Sequence, residues 1–228
     1  MPDQSKIIRI RPDNPDPDVI KTAGKIISRN GVVIFPTRCL YGVAANALDE
    51  AAVKKVFDLK KRPFNNPILV LTPNREMVSD LAVSIPTSAK QIMDAFWPGH
   101  ITIVMDAKDS VSPLITAGTG KIGIRMPGHP IARALVNHLS FPITGTSANL
   151  SGHPGCFDPA ALDPYVIESS DLVLDGGVLK GGTGSTIIDT TTSPVTLLRQ
   201  GEIISQEIRK RLPDAQIKKG AWHQSYHA

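Results

Sequence analysis

The feature that most constrains this sequence is the length of its apolar runs. The longest, such as Gly31-Val-Val-Ile-Phe35, match a β-strand, and they alternate with stretches whose apolar residues recur at helical spacing. Behind Asp16-Pro17, a capping residue followed by proline, Val19, Ile20, Ala23, Ile26 and Ile27 form one stripe that stops at Asn30-Gly31. Behind Asp49, Ala52, Val53, Val56, Phe57 and Leu59 form a second stripe that ends near Pro63. The same patterning predicts strands at 32–35, 68–71, 101–105, 122–126, 142–144, 172–174, 186–189 and 195–198. It predicts further helices at 74–82, 87–96, 131–139 and 206–212. Loops are expected at 36–42, 146–152 and 176–184. Alternation of this kind predicts α/β layers, with helices covering a sheet. The short connection between the last two strands makes that pair antiparallel, so the sheet is read as mixed.

The size suits one domain. A chain of 228 residues buries roughly 70% of the surface it exposes when unfolded and needs no disulfide or metal to fold. No apolar run approaches the roughly 18–20 residues of a membrane span. The start, Met1-Pro-Asp-Gln-Ser-Lys6, has no apolar signal core, so the expected compartment is the cytoplasm. Cys39 and Cys156 make no metal pair with nearby Cys or His and no disulfide framework, and no metal site is read from spacing. The net charge of +4 admits anionic ligands. Aromatic residues at 5% argue against a stacking platform for single-stranded nucleic acid.

Several familiar chemistries are absent. There is no G-x-x-x-x-G-K-[ST] phosphate loop, no G-x-G-x-x-G, no H-E-x-x-H and no G-x-S-x-G. What remains is polar residues at element ends. Lys60 and Arg62 close the second helix just before Pro63, with Asn66-Pro67 following. They are either a solvated helix end favoured by the dipole or a clamp on a polyphosphate. Ser147-Ala-Asn149 is either an ordinary turn or a loop of small hydrogen-bonding groups beside a ligand. Arg125, among apolar neighbours, needs an acidic partner or an anionic ligand. Arg199 ends another strand. The glycine-rich stretch 176–184 is either an anion cradle or a hairpin tip.

Seven groups in one order resemble the YrdC family, the YrdC/YciO/YwlC-like threonylcarbamoyl-AMP synthases. They are Phe35-Pro-Thr37 with Tyr41-Gly42 and Ala45-Asn-Ala-Leu-Asp49; Lys60-Lys-Arg62-Pro63 with Asn66-Pro67; Trp97-Pro-Gly99; Gly123-Ile-Arg125-Met-Pro127 with His129-Pro130; Ser147-Ala-Asn149-Leu-Ser-Gly152; Gly184-Ser-Thr-Ile-Ile-Asp189; and Leu198-Arg-Gln-Gly201. The resemblance covers roughly residues 8 to 205. It implies a YrdC/RibB-like α/β domain over residues 1–212, with a twisted mixed parallel/antiparallel sheet of about seven strands flanked by helices. Residues 213–228 are read as a mobile polar tail.

The implied reaction joins L-threonine, bicarbonate or CO2, and ATP into threonylcarbamoyl-AMP and pyrophosphate. That is the first step toward N6-threonylcarbamoyl modification of adenosine 37 in tRNA, and it makes the enzyme a nucleotidyltransferase. The resemblance implies catalytic roles for Lys60 and Arg62, and an ATP site of Lys60, Arg62, Asn66, Asn149 and Arg199. It implies a threonine site of Thr37, Cys39, Arg125, Ser147 and Ser185. Mg²⁺ is expected on the phosphates with no carboxylate cage from the protein. Expected partners are a downstream threonylcarbamoyl transferase complex and a contact with double-stranded RNA or tRNA, with no membrane.

The loop Pro36-Thr-Arg-Cys39 departs from the family's usual P-T-E-T or P-T-D-T, so a thiol replaces a hydroxyl and Arg38 replaces an acid. Leu71 stands where a histidine is frequent, and Phe157 where a small hydroxyl residue is. Three functions therefore compete: the synthase, an adenylating enzyme for another amino acid or carbamate, and a nucleotide- or double-stranded-RNA-binding module without turnover.

Overall fold

The computed structural model describes residues 4–212 and 217–219. The first half runs β1 (Ile7–Arg9), α1 (Pro17–Ser28), β2 (Val33–Pro36), β3 (Tyr41–Ala44), α2 (Glu50–Lys60), β4 (Val70–Leu71), α3 (Val78–Leu81), α4 (Thr87–Phe96) and β5 (Ile101–Asp106). The second runs α5 (Pro113–Thr116), β6 (Lys121–Arg125), α6 (Pro130–His138), β7 (Ile143–Thr144), β8 (Thr146–Ser147), α7 (Pro164–Glu168), β9 (Leu172–Asp175), β10 (Thr186–Asp189), β11 (Val195–Arg199), α8 (Ser205–Arg211) and β12 (Ile217–Lys219). Both sequence-predicted caps form. Asp16 accepts from the Asp18 N–H and Asp49 from the Ala52 N–H, each at 2.9 Å.

The single sheet of about seven strands is corrected to two sheets. One has the order β12-β11-β10-β5-β6-β4-β7, and a second, five-stranded sheet has the order β1-β9-β2-β3-β8. Both are mixed: β2 runs parallel to β9 and antiparallel to β3, and β10 runs parallel to β5 and antiparallel to β11. The second sheet escaped the sequence reading because β8 and the first half of β3 lie in segments read as loops. Gly42 pairs with Ser147 and Val43 with Thr146 across that junction. β8 is two residues long and exists only through its partner.

Strand β2 is buried on both faces, which explains its continuous apolar run. Ile34 joins a cluster with Tyr41, Val43, α2, α4 and β5, whereas Val33 and Phe35 join α1 and α6 on the other side. Of the tail expected beyond residue 212, Ile217–Lys219 pairs parallel with β11, where the Ile217 side chain is buried. The rest of 213–228 lies outside the described residues. Among the described residues, no helix is long and apolar enough to cross a membrane.

Candidate active site

A cleft of about 710 Å³, its open mouth included, lies where the two sheets meet. Thr37, Tyr41, Gly42 and Ser147 line it from the five-stranded sheet and its loops. Thr102, Gly123, Arg125, Ser185 and Arg199 line it from the seven-stranded sheet, and Arg62 enters from the turn after α2. Among the described residues, no Asp or Glu lines it.

The end of α2 sends Lys60 and Arg62 in different directions. Lys61 caps the helix in the left-handed conformation, at φ 47°, and the Arg62 N–H closes the turn on Phe57 O at 2.9 Å. Lys60 is fully buried and does not line the cleft. Its ammonium donates to the Ser147 carbonyl, to Asn149 O at 2.8 Å and to Asn149 Oδ1 at 3.4 Å. It therefore holds the 147–149 segment from behind. Burial, with some repulsion from Arg62, pulls its pKa down to about 7, while the three oxygen acceptors favour keeping the proton on Nζ.

Arg62 faces the cleft while its guanidinium is braced from below. Nε donates to Asn66 O at 3.2 Å and Nη2 to Pro67 O at 2.9 Å. Asn66 thus contributes its backbone carbonyl to the site, and its side chain does not line the cleft. Asn149 is also outside the lining. Its amide donates to Leu150 O and His153 O, both at 2.7 Å, and its Oδ1 receives the Ser147 hydroxyl.

Across the cleft, Arg199 donates from Nε (3.1 Å) and Nη2 (2.9 Å) to Ser185 O. The Ser185 hydroxyl shares a 2.9 Å hydrogen bond with Thr102 Oγ1. Gly201 makes this crossing possible: a Cβ there would sit 2.4 Å from Gly184 O. Arg125 is nearly buried, and its Nε has no hydrogen-bond partner among the described residues. Burial lowers the pKa of Arg62, Arg125 and Arg199 to about 10 each, and the Arg199 charge presses further on the other two. All three stay protonated at neutral pH. Three charged guanidiniums, those of Arg62, Arg125 and Arg199, converge with the hydroxyl residues Thr37, Thr102, Ser147 and Ser185 on one cleft, a donor set suited to an anionic group.

The altered loop has a partner that the sequence reading did not find. Arg38 Nε lies 3.3 Å from Glu202 Oε1, and Lys180 Nζ lies 2.6 Å from the same oxygen. Cys39 is buried and outside the cleft lining. Its thiol donates to Glu202 Oε2 at 3.2 Å, and His100 Nδ1 lies 3.2 Å from that oxygen. Burial works against the Glu202 carboxylate, yet hydrogen bonds from Lys180 and Cys39 and the nearby positive charge hold it below its usual range. Burial and then Glu202 push the Cys39 thiol up to about 11. The charge reversal at Arg38 is thus answered by Glu202, one residue beyond the Leu198-Arg-Gln-Gly201 group. The charge reversal at Arg38, with no acidic residue beside it in the sequence, was the signal that could have found it. Leu71 is fully buried in the core and does not face the cleft. Phe157 is half-exposed, and Gly181 lies beside its ring.

Fold and site together define an α/β domain with an arginine-lined cleft between two mixed sheets. The Sua5/YciO/YrdC family model, described as telomere recombination, matches residues 25–201. The threonylcarbamoyl-AMP synthase of Pyrococcus abyssi is 36% identical over 206 residues, covering 90% of this chain and 61% of that protein. The threonylcarbamoyl-AMP synthase of Bacillus subtilis is 37% identical over 210 residues, covering 90% of this chain and 59% of that protein. The chain therefore spans about three fifths of the length of these two relatives. The crystal structure of P. abyssi Sua5 complexed with L-threonine superposes with a TM-score of 0.87 at 34% identity, covering 96% of this chain and 66% of that one. The chain belongs to the Sua5/YciO/YrdC family.

Proposed function

We propose that the cleft makes threonylcarbamoyl-AMP from L-threonine, bicarbonate or CO2, and ATP, as a nucleotidyltransferase. The observation that carries this reading is the convergence of Arg62, Arg125 and Arg199 with Ser147 and Ser185 on one cleft. The two relatives named as threonylcarbamoyl-AMP synthases, and the relative crystallised with L-threonine, supply the substrate class.

The reaction brings two anions together. The threonine amine takes up CO2 as a carbamate, and a carbamate oxygen attacks the α-phosphorus of ATP. The new P–O bond forms as the bond to the β-phosphate oxygen breaks, and pyrophosphate leaves. The protein's task is charge neutralisation and alignment. In this reading Arg62 and Arg199 hold the phosphates, with the Ser147 hydroxyl beside them. Arg125 forks onto the threonine carboxylate through its uncommitted edge, aided by Ser185 and Thr37. Lys60 and Asn149 are positioning residues that fix the Ser147 segment, and the Asn66 carbonyl orients Arg62. Among the described residues no carboxylate lines the cleft, so Mg²⁺ would enter with the ATP phosphates, where it would help neutralise their charge, and no side chain is assigned to it. The product feeds a transferase acting on adenosine 37 of tRNA in the cytoplasm, and the cationic mouth is where a tRNA or double-stranded RNA contact would fall.

Pyrophosphate release from ATP and bicarbonate, measured with each of the twenty amino acids, tests the reading. Release with threonine, abolished by Arg62→Ala at an unchanged unfolding temperature, is expected. Preference for another amino acid would replace threonine in this account, and absence of release with all twenty would end it.

A further inference from the structure

Cys39, His100 and Glu202 come from three segments distant in sequence, and their donor atoms all lie within 4.8 Å of one another. We propose that these three side chains form a binding site for one Zn²⁺ ion at the back of the loop 36–40, outside the cleft lining.

The geometry is close to that of a metal site. Zinc takes thiolate sulfur at about 2.3 Å and imidazole nitrogen or carboxylate oxygen at about 2.0–2.2 Å, so tetrahedral ligands stand roughly 3.3–3.6 Å apart. Here Sγ and Nδ1 are each 3.2 Å from Glu202 Oε2. An ion can enter with displacements of a few tenths of an ångström at those two contacts. One soft, one borderline and one hard donor suit zinc and disfavour Mg²⁺ or Ca²⁺.

The surroundings are arranged for it. The two oxygens of Glu202 have separate duties. Oε1 is held by Arg38 and Lys180, whereas Oε2 accepts from the Cys39 thiol and has His100 Nδ1 beside it. An ion on Oε2 leaves the Oε1 bridges in place, and those bridges orient the carboxylate as outer partners of a metal ligand do. Cys39 and His100 are largely shielded from water. The peptide framework is tied as well: Gly181 N donates to Cys39 O at 3.0 Å and Glu202 N to Gly184 O at 2.9 Å. Binding replaces the thiol S–H by an S–Zn bond and releases one proton to solvent. Glutamate binds already ionised, and histidine binds neutral through Nδ1 with its proton on Nε2. The fourth position falls to water.

Calorimetric titration of the full chain with ZnCl2, in two buffers of different ionisation enthalpy, tests the site. One ion and one released proton per chain are expected. Co²⁺ in place of Zn²⁺ should give a thiolate charge-transfer band in the near ultraviolet. Cys39→Ser, which keeps the size and the hydrogen bond to Glu202, should remove the band and weaken zinc by about 100-fold or more, since loss of a mere outer partner already costs about 10- to 100-fold. His100→Ala should weaken zinc similarly. Cys156→Ser, and the double change His223→Ala with His227→Ala, should leave affinity unchanged. Unchanged affinity in Cys39→Ser or His100→Ala, loss of binding in either control, or no binding at micromolar zinc would overturn the proposal. Because no substrate is present, the outcome is independent of whether the cleft is a synthase.

Discussion

Arg125 should be a residue that the reaction needs and the fold would rather lose. Its side chain is buried, its Nε lacks a partner among the described residues, and the Arg199 charge repels it. Burial first and Arg199 second lower its pKa from the ordinary 12.5 to about 10. A difference of about 2.5 units at 1.36 kcal/mol each places the charged form about 3 kcal/mol above its cost in water. Arg125→Met keeps the length of the stem and removes the charge. Some packing and any weak contacts of the guanidinium are lost with it, so a net gain of about 1–3 kcal/mol is expected. For a chain of this size that raises the unfolding temperature by about 2–12 °C. Calorimetric unfolding without ligand measures it. Threonine-dependent pyrophosphate release should meanwhile fall by at least about 100-fold, through loss of a buried charged hydrogen-bond pair. Stabilisation with loss of function is the signature of a site that stores unfavourable charge for a ligand. A variant destabilised by more than about 1 kcal/mol would mean that Arg125 is held by the protein itself and stores no unfavourable charge for a ligand. Full retention of threonine-dependent turnover would remove it from the substrate site.

Three further outcomes are expected. Lys60→Met strands the carbonyls of Ser147 and Asn149, partly offset by relief of a buried ammonium, and should cost about 1–3 kcal/mol in urea denaturation with a loss of turnover; unchanged stability with a sharply raised KM for ATP would instead place Lys60 on the nucleotide. Arg38→Glu sets a carboxylate against Glu202 and should raise the threonine KM by about 2- to 10-fold, the range of an exposed pair lost or reversed; a lowered KM would show that an acid is wanted there after all. Burial holds His129 at about 4, below its unfolded value of about 6.5. The unfolded chain therefore binds more protons between those values, so this residue's contribution is present above about pH 6.5 and is lost as pH falls toward 4. His129→Leu should flatten the acid side of the stability curve by on the order of 3 kcal/mol relative to the parent, and parallel curves would refute the assignment.

Local physics made much of this protein legible in the sequence. The α1 and α2 starts follow from Asp16 and Asp49, whose side chains cap whatever helix follows them. The apolar runs of β2, β5, β10 and β11 are long enough to declare a strand by themselves. Clustering of Arg62, Arg125, Ser147, Ser185 and Arg199 was legible only through the order of seven motifs, and the cleft contains all five. The second sheet was not legible, because β8 is two residues of Thr and Ser whose strand character comes wholly from β3. Nor was the division of labour at the end of α2. Lys60 and Arg62 are both basic and two residues apart, and only the left-handed turn at Lys61 sends one inside and the other to the cleft. Glu202 belongs to the same class. A sequence shows that Arg38 is a charge without a neighbour of opposite sign, but only the chain crossing at Gly201 brings the carboxylate to it. Caps and apolar periodicity are decided within a few residues, whereas the pairing of short strands and the partnering of charges depend on contacts that only the closed fold supplies.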